Sequence, residues 1–192
     1  MNRLSIGFFL FEGVELLDVT GPWEVFSSAD LLHDGDLFEL FSFAAEAGKV
    51  RTVNGLHLIA DYGMDQVPQS DLLVIPGGEG SRRVAADPAM VSRLKDLHEA
   101  SRFTMSICSG ARILAAAGLL RGVPFATHHL VYDDLLEIEP DAIPRRESRY
   151  TDDGRIFTSG GVSAGIDLAF HFLEKLHGKA AAEKTARYME YG

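Results

Sequence analysis

Cysteine is almost missing from this chain: Cys108 stands alone among 192 residues. A single thiol excludes an intrachain disulfide and any cysteine-built zinc site. Positive charge is short as well, with 18 Lys and Arg against 28 Asp and Glu, a net charge of −10 and a pI near 5.1. Such a balance offers no basic face to nucleic acid and none to an anionic membrane. No apolar run is long enough to span a bilayer. The opening stretch from Met1 to Phe11 is apolar, but Glu12 and Glu15 follow at once, too soon for a signal segment with its cleavage site. The expected location is the cytoplasm, and the expected partners are a small-molecule substrate and no macromolecule of nucleic acid or lipid. Repeats, low-complexity segments and linkers are also missing, so one domain over residues 1–192 is expected.

What is present alternates between two periods. Continuous apolar runs at Leu4 to Phe11, Leu37 to Ala44, Asp71 to Ile75 and Phe103 to Ile107 read as strands covered on both faces. Between them lie helical patterns: Val14 to Ser28, which Gly21-Pro22 should interrupt or restart, then Pro88 to Ala100, Arg112 to Leu120, Ser163 to His177 and Ala180 to Tyr191. Phe125 to Thr127 reads as a short strand. Asn54-Gly55 and Asp153-Gly154 mark two hairpins. Strands and helices in alternation predict an α/β fold, a mostly parallel sheet with helices on both faces. Ligands in such sheets lie beyond the carboxyl ends of the strands.

Three motifs fall at such ends. Cys108 sits between the β-prone run Phe103 to Ile107 and the alanine-rich stretch after Gly110, the position of a nucleophile elbow. A helix N-terminus there would favour the thiolate and draw the thiol below its usual value. Gly77 and Gly78 follow the strand ending at Ile75 and would let backbone N–H groups approach a ligand; with the N–H of Ser109 they would form an oxyanion hole. Asp18 lies just after the first strand on an apolar stretch. It reads either as an acid–base partner of the thiol or as a helix cap, with Glu15 as the competing carboxylate. His128 reads as a base for Cys108 or as a packed core residue. The remaining histidines are scattered, so no metal centre and no cofactor are expected.

Taken in order, several of these segments resemble the ThiJ/PfpI (DJ-1-like) superfamily. They are Asp18-Val-Thr-Gly-Pro22, Ile75-Pro-Gly-Gly78, Ser106-Ile-Cys-Ser-Gly110, Ala117-Gly-Leu-Leu-Arg-Gly122, Ala126-Thr-His128 and Thr158-Ser-Gly-Gly-Val-Ser-Ala-Gly-Ile-Asp167. The resemblance implies a flavodoxin-like three-layer sandwich of the class I glutamine amidotransferase type, usually a homodimer. Within the superfamily the chain is similar to the isocyanide hydratase branch and to the sensor domains of a branch of AraC-type regulators. The first implies Cys108 as nucleophile, Asp18 as acid–base, Ser109 as a hydrogen-bonding neighbour, and Gly78 with Ser109 as N–H donors. Ser109 stands where those hydratases carry threonine and where the peptidase and glyoxalase branches carry histidine. Ligand sensing, glyoxalase-like chemistry and redox sensing at the thiol are the alternatives that the resemblance leaves open.

Overall fold

A computed structural model describes residues 3–192; Met1 and Asn2, the start of the stretch weighed as a signal segment, lie outside it. In chain order the elements are β1 (Leu4–Phe9), α1 (Leu16–Leu31), β2 (Phe38–Ala44), β3 (Gly48–Arg51), β4 (His57–Ala60), β5 (Tyr62–Gly63), β6 (Leu72–Ile75), α2 (Ser81–Ala85), α3 (Pro88–Ala100) and β7 (Phe103–Ile107). A single 3-10 turn (Cys108–Gly110) then leads into α4 (Ala111–Ala116), followed by β8 (Pro124–Phe125), α5 (Tyr132–Ile138), β9 (Ile143–Pro144), β10 (Tyr150–Asp152), β11 (Ile156–Ser159), α6 (Ala164–His177) and α7 (Lys179–Tyr188).

The central sheet has seven strands in the order β10-β11-β7-β6-β1-β2-β5. All pairings are parallel except β10 with β11. This is the expected α/β sandwich. The order decides where chemistry can happen. β11, β7, β6 and β1 are consecutive neighbours and run the same way, so the four loops that leave their carboxyl ends stand side by side on one rim. Register confirms the alignment, with Ile75 opposite Ser106 and Ile107 opposite Ser159.

Local chemistry accounts for the elements. The middle strands are apolar on both faces because helices cover both; β6 is buried along its whole length. α3 begins where Asp87 caps it, its carboxylate accepting the N–H groups of Ala89 (3.0 Å) and Met90 (3.2 Å), with Pro88 in the first turn where no donor is missed. On one side of the sheet Phe172 of α6 packs edge-on against Phe26, Phe103 and Phe157, at centroid distances of 6.1, 5.3 and 5.1 Å. Rings buried in this way contribute on the order of 2–3 kcal/mol each.

Two expectations need correction. α1 is not interrupted at Gly21-Pro22 but runs through them to Leu31. Buried Val19, Val25, Phe26 and Ala29 hold both halves of it against the core, which offsets the hydrogen bond that Pro22 cannot make. Gly21 is there for contact: a Cβ would come within 2.8 Å of Ile166 on α6. The helix after Cys108 ends at Ala116, short of Leu120, and Gly118 turns the chain away at a φ of +70°. Among the described residues no helix is long and apolar enough to cross a membrane.

Candidate active site

The turn from β7 into α4 forces Cys108 to a φ of +57°, a backbone region that L side chains rarely adopt. Three contacts hold it there. The Cys108 N–H donates to the Gly160 carbonyl (3.2 Å), and the Thr127 hydroxyl donates to the Cys108 carbonyl (2.7 Å). Gly110 lies so close to the Ile75 carbonyl that no side chain would fit. Strain of this kind costs about 1–3 kcal/mol and persists only where the surroundings fix it.

Asp18 arrives from the first turn of α1 and is fully buried. Its Oδ2 accepts the N–H of Gly77 (2.9 Å), and its carboxyl lies beside the Cys108 thiol. Oδ1 has no partner of good hydrogen-bond geometry. Burial pushes the Asp18 carboxyl up to about 7; the Gly77 N–H opposes that shift, the charge of Glu15 adds to it, and the thiol and the Val162 N–H oppose it. Glu15 itself is the residue that precedes α1, and its N–H donates to the Gly77 carbonyl (2.9 Å).

The thiol departs from expectation. Burial, and then the adjacent Asp18 charge, push Cys108 up to about 12, against the opposing N–H groups of Ser109 and Val162. The short turn that follows supplies too little field to outweigh removal of the sulfur from water. The resting pair is therefore a protonated thiol against a carboxyl group poised near neutrality.

The glycine loop also works differently from the reading of the sequence. The N–H of Gly78 does not face a ligand: it donates to Ser109 Oγ (2.9 Å), and the Ser109 hydroxyl returns a bond to the Gly78 carbonyl (3.1 Å). With the Gly77 N–H spent on Asp18, the donors left beside the sulfur are Ser109 and Val162. Gly77 tolerates no side chain, since a Cβ would lie 2.9 Å from Asp18 Oδ2.

His128 comes near without bonding to the thiol. Its ring packs against Gly161, where a Cβ would overlap the ring and lie 3.3 Å from Cys108 Sγ. Its Nδ1 accepts the Leu130 N–H (3.3 Å), which places the proton of the neutral ring on Nε2. Burial and neighbouring His129, whose ring centroid is 4.3 Å away, hold its pKa below the usual histidine value.

Val162 was not legible as a site residue. It has a φ of +54°, an unusual conformation for a β-branched residue, and its N–H lies against both reacting groups. Only its place in the small-residue turn between β11 and α6 hinted at it. Among the described residues no group of three or more His, Cys, Asp or Glu gathers as a metal site. A cavity of about 370 Å³ lined by Phe9, Phe11, Ala44, Lys49, Arg83 and Met90 lies beside the rim, but neither Cys108 nor Asp18 lines it.

Residues 4–175 match the sequence profile of the DJ-1/PfpI family. The chain belongs to the DJ-1/PfpI family. It is 35% identical to the isonitrile hydratase of Pseudomonas putida over 98% of this chain and 78% of that protein. It is 28% identical to the HTH-type transcriptional regulator GbdR of Pseudomonas aeruginosa over 99% of this chain but only 51% of the regulator. A ThiJ/PfpI family protein from Pseudomonas syringae superposes with a TM-score of 0.89 at 27% identity, covering all of this chain and 76% of that one. Membership of the DJ-1/PfpI family thus extends across the rim that carries Cys108, and its relatives include an enzyme.

Proposed function

We propose that the protein hydrates a small isocyanide to an N-substituted formamide, with Cys108 as nucleophile and Asp18 as the group that moves protons. The observation that carries this reading is the buried contact between a thiol that keeps its proton and a carboxyl group near neutrality. An isocyanide is divalent at its terminal carbon, so that one carbon must gain both the sulfur and a hydrogen. The C–S bond forms while Asp18 takes the thiol proton and returns it to the same carbon, giving a thioimidate. Water then adds to that carbon and the C–S bond breaks. The sulfur recovers its proton through Asp18, and the formamide leaves. Ser109 and Val162 supply N–H groups where charge collects on sulfur. A proton that must travel so short a distance needs an acid–base group in contact with the nucleophile, and Asp18 meets that need.

Conversion of cyclohexyl isocyanide to its formamide by the wild-type protein, Cys108→Ala and Asp18→Ala tests the assignment. Turnover by the wild type alone supports it; turnover retained by Cys108→Ala ends it.

A second reading is favoured by one observation. The chain spans about half of the regulator it matches, so a domain of this kind also serves as one part of a regulator. In that reading the rim that carries Cys108 binds a small molecule without turnover. A glyoxalase-like reaction is supported less well, because the Nδ1 of His128 is engaged by Leu130.

The macromolecular partner we assign is a second copy of the chain. Thr20 and Trp23 of α1 line a groove with Leu58 and Ile59 of β4, and Ile59 is 68% exposed with Leu56 close behind at 58%. Apolar side chains gathered in this way on a surface mark an association site.

A further inference from the structure

Arg112 is a cation where none is needed for packing. It lies at the start of α4, directly behind the elbow, and is only 5% exposed. A guanidinium this deep is costly unless it is paired and hydrogen-bonded. Its Nη2 donates to Asp134 Oδ2 (2.8 Å), which Arg82 also reaches at 2.6 Å. Its Nη1 donates to Ser81 Oγ (2.7 Å), while its Nε–H has no partner.

The contact with Ser81 has a direction. A guanidinium donates and never accepts, so it occupies a lone pair of Ser81 and turns the Ser81 proton onward. That proton goes to Ser109 Oγ (3.1 Å). Ser109 Oγ now accepts from both Ser81 and the Gly78 N–H, so its own proton has one place to go, the Gly78 carbonyl. The Gly78 residue is thereby gripped at its N–H and its C=O, and the adjoining Gly77 N–H points at Asp18 Oδ2. Hydrogen bonds arranged donor to acceptor in one direction polarise one another.

We infer that Arg112 and Ser81 are positioning residues for the acid–thiol pair: they orient the Ser109 hydroxyl, which fixes the Gly77-Gly78 loop and so holds Asp18 against Cys108. Neither bonds to the thiol: their partners are Ser109 and Asp134. The inference rests on Asp18 and Cys108 being the reacting pair, and it does not depend on which substrate they meet.

The test reads the thiol itself. The rate of Cys108 alkylation by iodoacetamide is followed from pH 5 to 10 in the wild type, Ser81→Ala, Ser81→Thr, Arg112→Lys and Asp18→Asn, each checked for cooperative unfolding. Ser81→Ala keeps the Arg112–Asp134 pair and should fold. The inflection near 7 is that of Asp18 drawing the proton from the thiol, and loss of the hold of the Gly77 N–H on Asp18 should move it to higher pH, with a change of about tenfold in rate near neutrality, as a shift of about one unit requires. Ser81→Thr retains the hydroxyl and should restore the wild-type profile. Arg112→Lys, which cannot reach Ser81 and Asp134 in a fork, should move the inflection the same way, and it serves if Ser81→Ala does not fold. A profile for Ser81→Ala or folded Arg112→Lys that superimposes on the wild type overturns the inference. An unchanged profile in Asp18→Asn instead refutes the pairing of Asp18 with Cys108, so the two failures are told apart.

Discussion

The ring of His128 and the sulfur of Cys108 face each other across Gly161, and nothing larger than glycine fits between them. A methyl group at that position would overlap the ring and press on the sulfur at 3.3 Å. Gly161→Ala should therefore fold and yet react poorly. Displacements of this size near reacting atoms cost roughly 10–100-fold in rate. Iodoacetamide labelling of Cys108, read by mass, checks it against an unchanged circular dichroism spectrum; labelling at the wild-type rate would show that the loop gives way freely.

Asp18 makes a second prediction, about stability. Its carboxyl titrates near 7 in the folded protein and at 3.8 when unconstrained, so between those values the folded state holds a proton that the unfolded state has released. Stability is fully present below pH 4 on this account and is lost as pH rises toward and through 7. The loss approaches 4 kcal/mol, on the order of three units at about 1.4 kcal/mol each. Asp18→Asn lacks this titration and should gain on the wild type steadily from pH 5 to 8. Urea unfolding of both proteins at several pH values measures the difference; parallel curves would contradict it.

The elbow stores strain that a glycine would release. With Cys108 at a φ of +57°, alanine carries the same penalty and glycine does not. Cys108→Gly should be about 1 kcal/mol more stable than Cys108→Ala, although both lack the nucleophile. Thermal unfolding of the two variants decides it, and an alanine variant of equal or higher melting temperature would mean that the backbone relaxes.

Association through α1 and β4 predicts that Ile59→Glu, a charge placed on an exposed apolar residue, shifts the protein toward monomer while leaving the fold intact. Sedimentation velocity at micromolar concentration reads this directly. A wild type that already sediments as a monomer rules the interface out.

Some features of this molecule are written locally, and those were legible. The helical pattern Pro88 to Ala100 is α3, the run Phe103 to Ile107 is the strand it reads as, and Asn54-Gly55 joins β3 to β4. The elbow was legible because a change of period at one residue is itself local. What escaped depends on residues brought together from far apart. The Cys108 thiol is pushed up by burial and then by Asp18, 90 positions earlier in the chain, against an N–H from Val162, 54 positions later. Gly78 has the flexibility expected of it, but its donor is taken by a hydroxyl from another loop. Helix α5 was missed because its acidic first turn, Asp133 and Asp134, hides a face whose only fully covered members are Tyr132 and Leu135.

The borders of the central sheet have a consequence of their own. At one end stands β5, two residues long; at the other stands β10, three residues long and reversed, its Asp152 tied to His171 and Lys175. β10 is too short to offer a row of free peptide groups that could template another strand, whereas β5 pairs with only Phe43 and Ala44 of the longer β2. Copies of this chain cannot extend the central sheet past β10, so growth into a continuous ribbon is blocked at that margin.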